Sequence, residues 1–169
     1  GEIENAAGGT RRGQVRVFDW DGSAWIQVGN DLHGLGTDDD FGWNVSISAS
    51  GNKIIVGAPY DDDGGSSSGT VKIYELIGST WTQIGNTIVG QSANEAGYAV
   101  SMSANGNRVA VGMRGYSSHK GRVRIYDLVG STWTQVGSDI IGEANGDYFG
   151  ASIEMNDVGA KLLIGAYRN

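Results

Sequence analysis

One six-residue pattern occurs three times in this chain. Gly13–Phe18, Gly69–Tyr74 and Gly121–Tyr126 all read Gly-x-Val-x-(Val/Ile)-aromatic. Each copy leads to a tryptophan in the frame Trp-x-Gln-(Val/Ile)-Gly, and the residue numbers of these tryptophans place them 56 and then 52 residues apart. A period of about 50 residues built from short strands is typical of stacked repeats, in which no unit buries its apolar face alone.

The composition supports a folded chain and disfavours several partners. Of the 169 residues 39% are hydrophobic, which is enough to build a core. The net charge is -7, from 19 acidic and 12 basic residues, so we expect no nucleic-acid partner. Cysteine is absent, and no apolar stretch reaches the roughly 18 residues of a membrane span, so we expect no membrane insertion.

Each repeat contains four candidate strands. The first alternates apolar and polar residues, as Gln14 to Trp20 does, and a short Gly/Ser turn leads to the tryptophan strand. The third runs from Phe41 to Ser48 in one copy, and an Asn/Gly turn leads to a continuously apolar fourth strand from Ile54 to Ala58. No segment has a 3.6-residue period, so we predict an all-β chain with essentially no helix.

Two short signatures in the repeats resemble a known family. Phe41-Gly42 is followed by Gly57-Ala58-Pro59, and the third copy keeps Phe149-Gly150 and Gly165-Ala166. This pattern resembles the FG-GAP repeat of integrin α-subunit β-propellers and of many extracellular proteins. The residues that we assign a structural role in the repeat are Trp25, Trp81, Trp133, Phe41, Gly42, Phe149, Gly150, Gly57, Gly112 and Gly165.

The resemblance implies the order of strands within a blade. The FG strand lies innermost, followed by the GAP strand, the Gly-x-Val strand and the tryptophan strand. Applied to residues 1–169 as a single propeller segment, this order gives an outer half-blade 13–29, whole blades 41–86 and 96–138, and an inner half-blade 149–167.

The two half-blades are complementary, and a propeller needs about 4 to 8 blades. Two alternatives follow from this. Either the inner half-blade pairs with the outer half-blade of a second chain in a two-chain, six-bladed ring, or the chain is a section of a longer propeller polypeptide.

Calcium is the cation to consider, because integrin-type repeats carry an Asp-rich loop between FG and GAP. Here that interval contains Lys53, Arg108 or Lys161 instead, so the family's metal site is not carried over. The acidic runs that include Asp38 and Asp40, and Asp61 and Asp63, are the remaining calcium candidates. The alternative is that both runs are solvated acidic loops. We expect no other cofactor.

The tryptophans raise the possibility of sugar binding. Trp25, Trp81 and Trp133 recur at one repeat position, which favours packing between blades. Trp20 and Trp43 are not repeated as tryptophan, so they are the candidates for ligand binding.

Catalytic signatures are lacking. His33 and His119 occupy non-equivalent positions, and no serine lies in a nucleophile elbow, so we expect the chain not to be an enzyme. The sequence predicts an extracellular or cell-surface binding, adhesion or assembly module with a protein or glycan ligand. A lectin-like propeller and a purely architectural repeat are the alternatives.

Overall fold

The computed structural model describes residues 10–169 and consists almost entirely of antiparallel strands. The strands are β1 (Gln14–Trp20), β2 (Trp25–His33), β3 (Asn44–Ile47), β4 (Lys53–Ala58), β5 (Thr70–Ile77), β6 (Thr80–Gln83), β7 (Ile88–Val89), β8 (Ala96–Met102), β9 (Arg108–Met113), β10 (Arg122–Val129), β11 (Thr132–Ile141), β12 (Ser152–Met155) and β13 (Leu162–Gly165).

The strands form four sheets, which we call layers 1 to 4 in chain order. Layer 1 is the hairpin β1–β2, and layer 4 is the hairpin β12–β13. Layer 2 has the order β3-β4-β5-β6 with β7 also paired to β5, and layer 3 has the order β8-β9-β10-β11. The all-β propeller-segment prediction is thereby confirmed. The division into blades and half-blades of a ring stays a prediction.

The core lies between the layers. One apolar cluster joins layer 1 to layer 2 around Val15, Leu32 and Trp81. A second and larger cluster joins layers 2 and 3, and a third joins layers 3 and 4. Strands β4 and β9 are buried on both faces, which explains their continuously apolar sequences.

Glycine is required where the inner strands of neighbouring layers approach most closely. A Cβ atom on Gly57 would overlap the carbonyl oxygen of Gly97, and one on Gly112 would overlap that of Gly150. The glycine of one GAP signature therefore packs directly on the glycine of the next FG signature.

One short helix departs from the expectation of essentially none. Helix α1 (Tyr116–His119) is a single turn, and Ser117 and Ser118 inside it have left-handed φ values of 51° and 57°. Its carbonyl groups accept hydrogen bonds from the loop before Phe149, since Gly146 N donates to Ser118 O and Tyr148 N to His119 O. Hydrogen bonds from the loop before Phe149 therefore set the geometry of helix α1. A single turn of this kind has no 3.6-residue period in the sequence from which it could be predicted.

Candidate functional site

Aromatic side chains collect at one end of the layers, where the FG strands begin and the GAP strands end. Trp43 and Tyr98 both follow the glycine of an FG position, and Tyr60 and Tyr167 follow the GAP strands β4 and β13. Because the layers stack in register, residues from three layers meet on one surface. We call this surface the aromatic strip, and it consists of Trp43, Tyr60, Tyr98, Arg114, Tyr148 and Tyr167.

The rings of the strip are in contact with one another. The Trp43 ring lies 5.7 Å from that of Tyr60 and 5.3 Å from that of Tyr98, measured between centroids. At the other end, the rings of Tyr148 and Tyr167 stack with centroids 5.0 Å apart. Such offset and edge-on pairs hold the rings in fixed orientations.

Arg114 joins the two groups of rings. Its guanidinium carbon lies 3.6 Å from the centroid of the Tyr98 ring, and its nitrogens lie 3.5 Å from the hydroxyl oxygens of Tyr60 and Tyr167. Nε donates a 2.6 Å hydrogen bond to the carboxylate of Glu95. The centre of the strip is therefore a cation sandwiched by aromatic rings and neutralised from one side.

The pKa values of two groups in the strip are raised by their surroundings. Burial alone would lower the pKa of Arg114, but the hydrogen bond and the charge of Glu95 outweigh burial and raise it. Burial raises the pKa of Tyr60, so its hydroxyl group stays neutral and available as a hydrogen-bond partner. Arg114 therefore stays a cation, and Tyr60 stays neutral, across the physiological pH range.

The strip is accessible to a ligand. Tyr167 is 59% exposed, and Trp43, Tyr60, Tyr98 and Tyr148 are half-buried. Half-buried rings with fixed neighbours offer flat apolar area at low entropic cost, since their side chains are already ordered. Chemically the surface can stack on apolar or planar groups and can bind an acceptor through Arg114.

The two sequence candidates for ligand binding lie apart. Trp43 belongs to the strip, whereas Trp20 lies at the tip of layer 1 and contacts Trp25 at a centroid distance of 5.7 Å. The sequence reasoning missed Tyr60, Tyr98, Arg114, Tyr148 and Tyr167. A partial signal was present, because in every copy a large side chain lies either directly after the FG glycine or within two residues of the end of the GAP strand.

The acidic residues proposed for calcium occupy two neighbouring loops. The buried carboxylate of Asp40 pairs with Arg11, and that of Asp61 accepts a 3.0 Å hydrogen bond from the hydroxyl of Thr70. Asp38 and Asp63 are exposed. Over residues 10–169 no three metal-capable side chains converge on one point. Calcium binding by Asp38, Asp40, Asp61 and Asp63 stays a prediction.

Stacked antiparallel sheets with a repeated signature define a β-propeller-type repeat module. Residues 35–74 match the FG-GAP repeat family, which confirms the resemblance for that segment. No curated protein sequence shows significant similarity to this chain. Within residues 10–169 no helix has the length and apolar character needed to cross a membrane.

A solved structure shares the arrangement of the sheets. A crystal structure of a candidate 6-phosphogluconolactonase from Bacteroides uniformis superposes with a TM-score of 0.61 at 15% identity, covering 91% of this chain and 41% of that one. This chain thus spans about two fifths of that protein. Hydrazine synthase from Kuenenia stuttgartiensis superposes with a TM-score of 0.48 at 12% identity, covering 79% of this chain and 32% of that one.

The expectation that the chain is not an enzyme, which rested on missing catalytic motifs, is wrong. A structure described as a lactonase has the same sheet arrangement, so this fold is compatible with catalysis. At 15% identity the likeness shows the fold alone. The absence of familiar catalytic spacings in the sequence was not sufficient ground for the exclusion.

Proposed function

We propose that this chain is an extracellular or cell-surface binding module that holds a protein ligand on its aromatic strip. The strip itself carries the proposal: five aromatic side chains from three layers are grouped around one paired arginine. FG-GAP repeats are typical of extracellular proteins, which supports the location.

The composition of the strip favours a protein over a sugar. Tyrosine, tryptophan and arginine are the residues that dominate protein interfaces, especially where neighbouring contacts hold them in place. Sugar sites combine a ring with several hydrogen-bonding carboxylates or amides. At the centre of the strip, the carboxylate of Glu95 is already paired with Arg114. A lectin remains the alternative that the following experiment tests.

The test measures binding of the purified chain to two panels of probes, one of purified extracellular-matrix and cell-surface proteins and one of glycans. Tyr98→Ala and Tyr167→Ala should each weaken binding to any recognised protein about tenfold or more, as truncation of an interface anchor does. Ile77→Ala is the matched control, because Ile77 is 58% exposed and Tyr167 59%, and Ile77 lies away from the strip.

Two results would overturn the proposal. If the strip variants bind protein probes as tightly as the control does, the ligand site lies elsewhere. If the chain binds glycans, and Tyr98→Ala abolishes that binding, the lectin alternative replaces the protein-binding one.

A further inference from the structure

The first layer presents an uncovered aromatic face. Phe18, Trp20 and Trp25 are 41%, 54% and 66% exposed and lie on the side of layer 1 that faces away from layer 2. At the equivalent positions of layers 2 and 3 the side chains pack against the preceding layer. Those side chains are Tyr74, Leu76 and Trp81 in layer 2, and Tyr126, Leu128 and Trp133 in layer 3.

The structure shows twice how such a tryptophan is held. Trp81 Nε1 donates to the carbonyl oxygen of Val28 in the preceding layer at 2.9 Å, and the Trp81 backbone N–H donates to Asn30 Oδ1 at 2.8 Å. Trp133 makes the same two bonds one layer further on. Its Nε1 donates to Ile84 O at 3.0 Å, and its backbone N–H donates to Asn86 Oδ1 at 2.7 Å.

A glycine completes each of these sockets. A Cβ on Gly29 or Gly85 would lie 2.6 Å from Cδ1 of the inserted indole, so the tryptophan occupies the space that a side chain would fill. Gly137 is the equivalent glycine of layer 3 and has the same left-handed backbone, with φ of 71°. No atom of residues 10–169 lies within 4 Å of a Cβ placed on it.

Residues Val136, Gly137 and Ser138 therefore form a third socket that layer 4 leaves open. Val136 supplies the carbonyl group at the position of Val28 and Ile84, and Ser138 stands at the position of Asn30 and Asn86. The side chains of Val136 and Ile140 beside the socket are each 38% exposed, and a groove of about 450 Å³ runs along them.

We propose that this open socket takes Trp25 of a second copy of the chain. Layer 4 of one copy and layer 1 of the other then join into one four-stranded sheet, with β13 antiparallel to β1. In that second copy, the groove of about 580 Å³ bounded by Val15, Val17, Trp25 and Ile47 receives the β12–β13 hairpin of the first copy.

The internal sheets give the register of this junction. Gly57 pairs with Val71 and Gly112 with Val123, so Gly165 pairs with Val15 of the second copy. A basic residue lies four positions before each of these glycines. In both internal sheets it is paired with an acidic residue on the neighbouring strand, Lys53 with Glu75 and Arg108 with Asp127. The same register places Lys161 opposite Asp19 of the second copy, so the charges match at the junction.

The number of copies follows from the number of sheets. Each copy contributes two whole sheets, layers 2 and 3, and two complementary hairpins, which amounts to three blades. Two copies make a six-bladed ring, whereas one copy or three copies would fall outside the 4 to 8 blades that propellers adopt. A head-to-tail contact made twice closes on itself and pairs the edges of β1 and β13 that face no strand within one copy.

The first test is the mass of the purified chain by light scattering. We expect a species of twice 17.7 kDa. Gly137→Leu should shift it to the monomer by blocking the socket. Gly130→Leu is the matched control, since Gly130 also has a left-handed φ of 62° and no atom within 4 Å of a Cβ, but it lies in a hairpin turn. A monomer for the unaltered chain, or an open polymer, would overturn the proposal.

The second test separates the junction from misfolding. Asp19→Lys and Lys161→Asp each place like charges opposite each other at both junctions of the ring, and each should weaken dimerisation about tenfold or more. The double variant restores the attraction and should dimerise like the unaltered chain. If both single variants dimerise as tightly as the unaltered chain, the proposed register is wrong. If the double variant stays monomeric, the pairing of residues 19 and 161 is wrong.

Discussion

At the scale of single residues, the frame Trp-x-Gln-(Val/Ile)-Gly contains both partners of the contact between neighbouring layers. The tryptophan enters the socket of the preceding layer, and the glycine forms the socket for the following one. The glutamine side chain closes the bulge around that glycine, since Gln135 Nε2 donates to Gly137 O at 3.2 Å and to Asp139 Oδ1 at 2.9 Å. The five residues of this frame thus specify how two neighbouring layers stack.

The glycine of this frame should be intolerant of a side chain for two separable reasons. Gly85→Ala places a Cβ 2.6 Å from the Trp133 indole and strains a backbone with φ of 73°. We expect a loss of about 2–4 kcal/mol in the free energy of unfolding, measured in urea. Gly130→Ala, which is equally left-handed but uncrowded, should lose only about 1 kcal/mol. Equal losses would show that the indole makes room at no cost.

The sequence predicted the tryptophan contacts but not the aromatic strip, and the reason is physical. Trp81 and Trp133 recur at a fixed position, and repetition is visible in one dimension. Tyr60, Tyr98 and Tyr167 come from three different layers and from different repeat positions. Only the stacking of the sheets brings them together, and no spacing within a repeat encodes that proximity.

At the scale of strands, a charged pair ties the outer half of layer 3 to its inner half. Arg108 at the start of β9 forms a two-bonded pair with Asp127 on β10, with N–O distances of 2.6 and 2.7 Å. Arg108 Nη1 also donates to the carbonyl oxygen of Gly159 in the following layer. One side chain therefore links two strands and two layers.

This ion pair should contribute to the free energy of unfolding, and its contribution should depend on pH. A double-mutant cycle with Arg108→Gln and Asp127→Asn should give a coupling of about 0.5–1 kcal/mol in urea unfolding, as partly exposed pairs do. The hydrogen bond from Arg108 lowers the pKa of Asp127 below 3.8, so the coupling is complete above pH 3.8 and disappears as the pH falls through the lower folded value. A coupling that persists at a pH low enough to protonate Asp127 in both the folded and the unfolded protein would contradict this account.

At the scale of the whole molecule, two acidic loops lie close enough to repel each other. Burial raises the pKa of Asp39 above 3.8, and the charges of Asp61, Asp63 and Asp62 raise it further. Because the folded value is raised, ionisation of Asp39 lowers stability as the pH rises from about 3.8 through that value. The molecule therefore carries electrostatic strain at neutral pH.

Neutralising Asp39 should relieve that strain. Asp39→Asn should have a higher Tm than the unaltered chain at pH 7, and the difference should shrink as the pH falls towards 3.8. Asp38→Asn, an exposed neighbour, serves as the control. A difference for Asp39→Asn that does not depend on pH would contradict the electrostatic explanation.

Millimolar calcium should raise the Tm of the unaltered chain if Asp61 and Asp63 bind it, and Asp61→Asn should remove the increase.

The socket between layers also bears on how a chain of this kind can change in length. The boundary between layers 1 and 2 and the boundary between layers 2 and 3 use the same tryptophan, glycine and carbonyl contacts. A duplication or loss of one whole 52- to 56-residue unit therefore creates no boundary of a new type. Growth by unit would leave the terminal surfaces unchanged while altering the diameter of any ring they close. Unequal recombination within the gene would then vary ring size without a single new side-chain contact having to evolve.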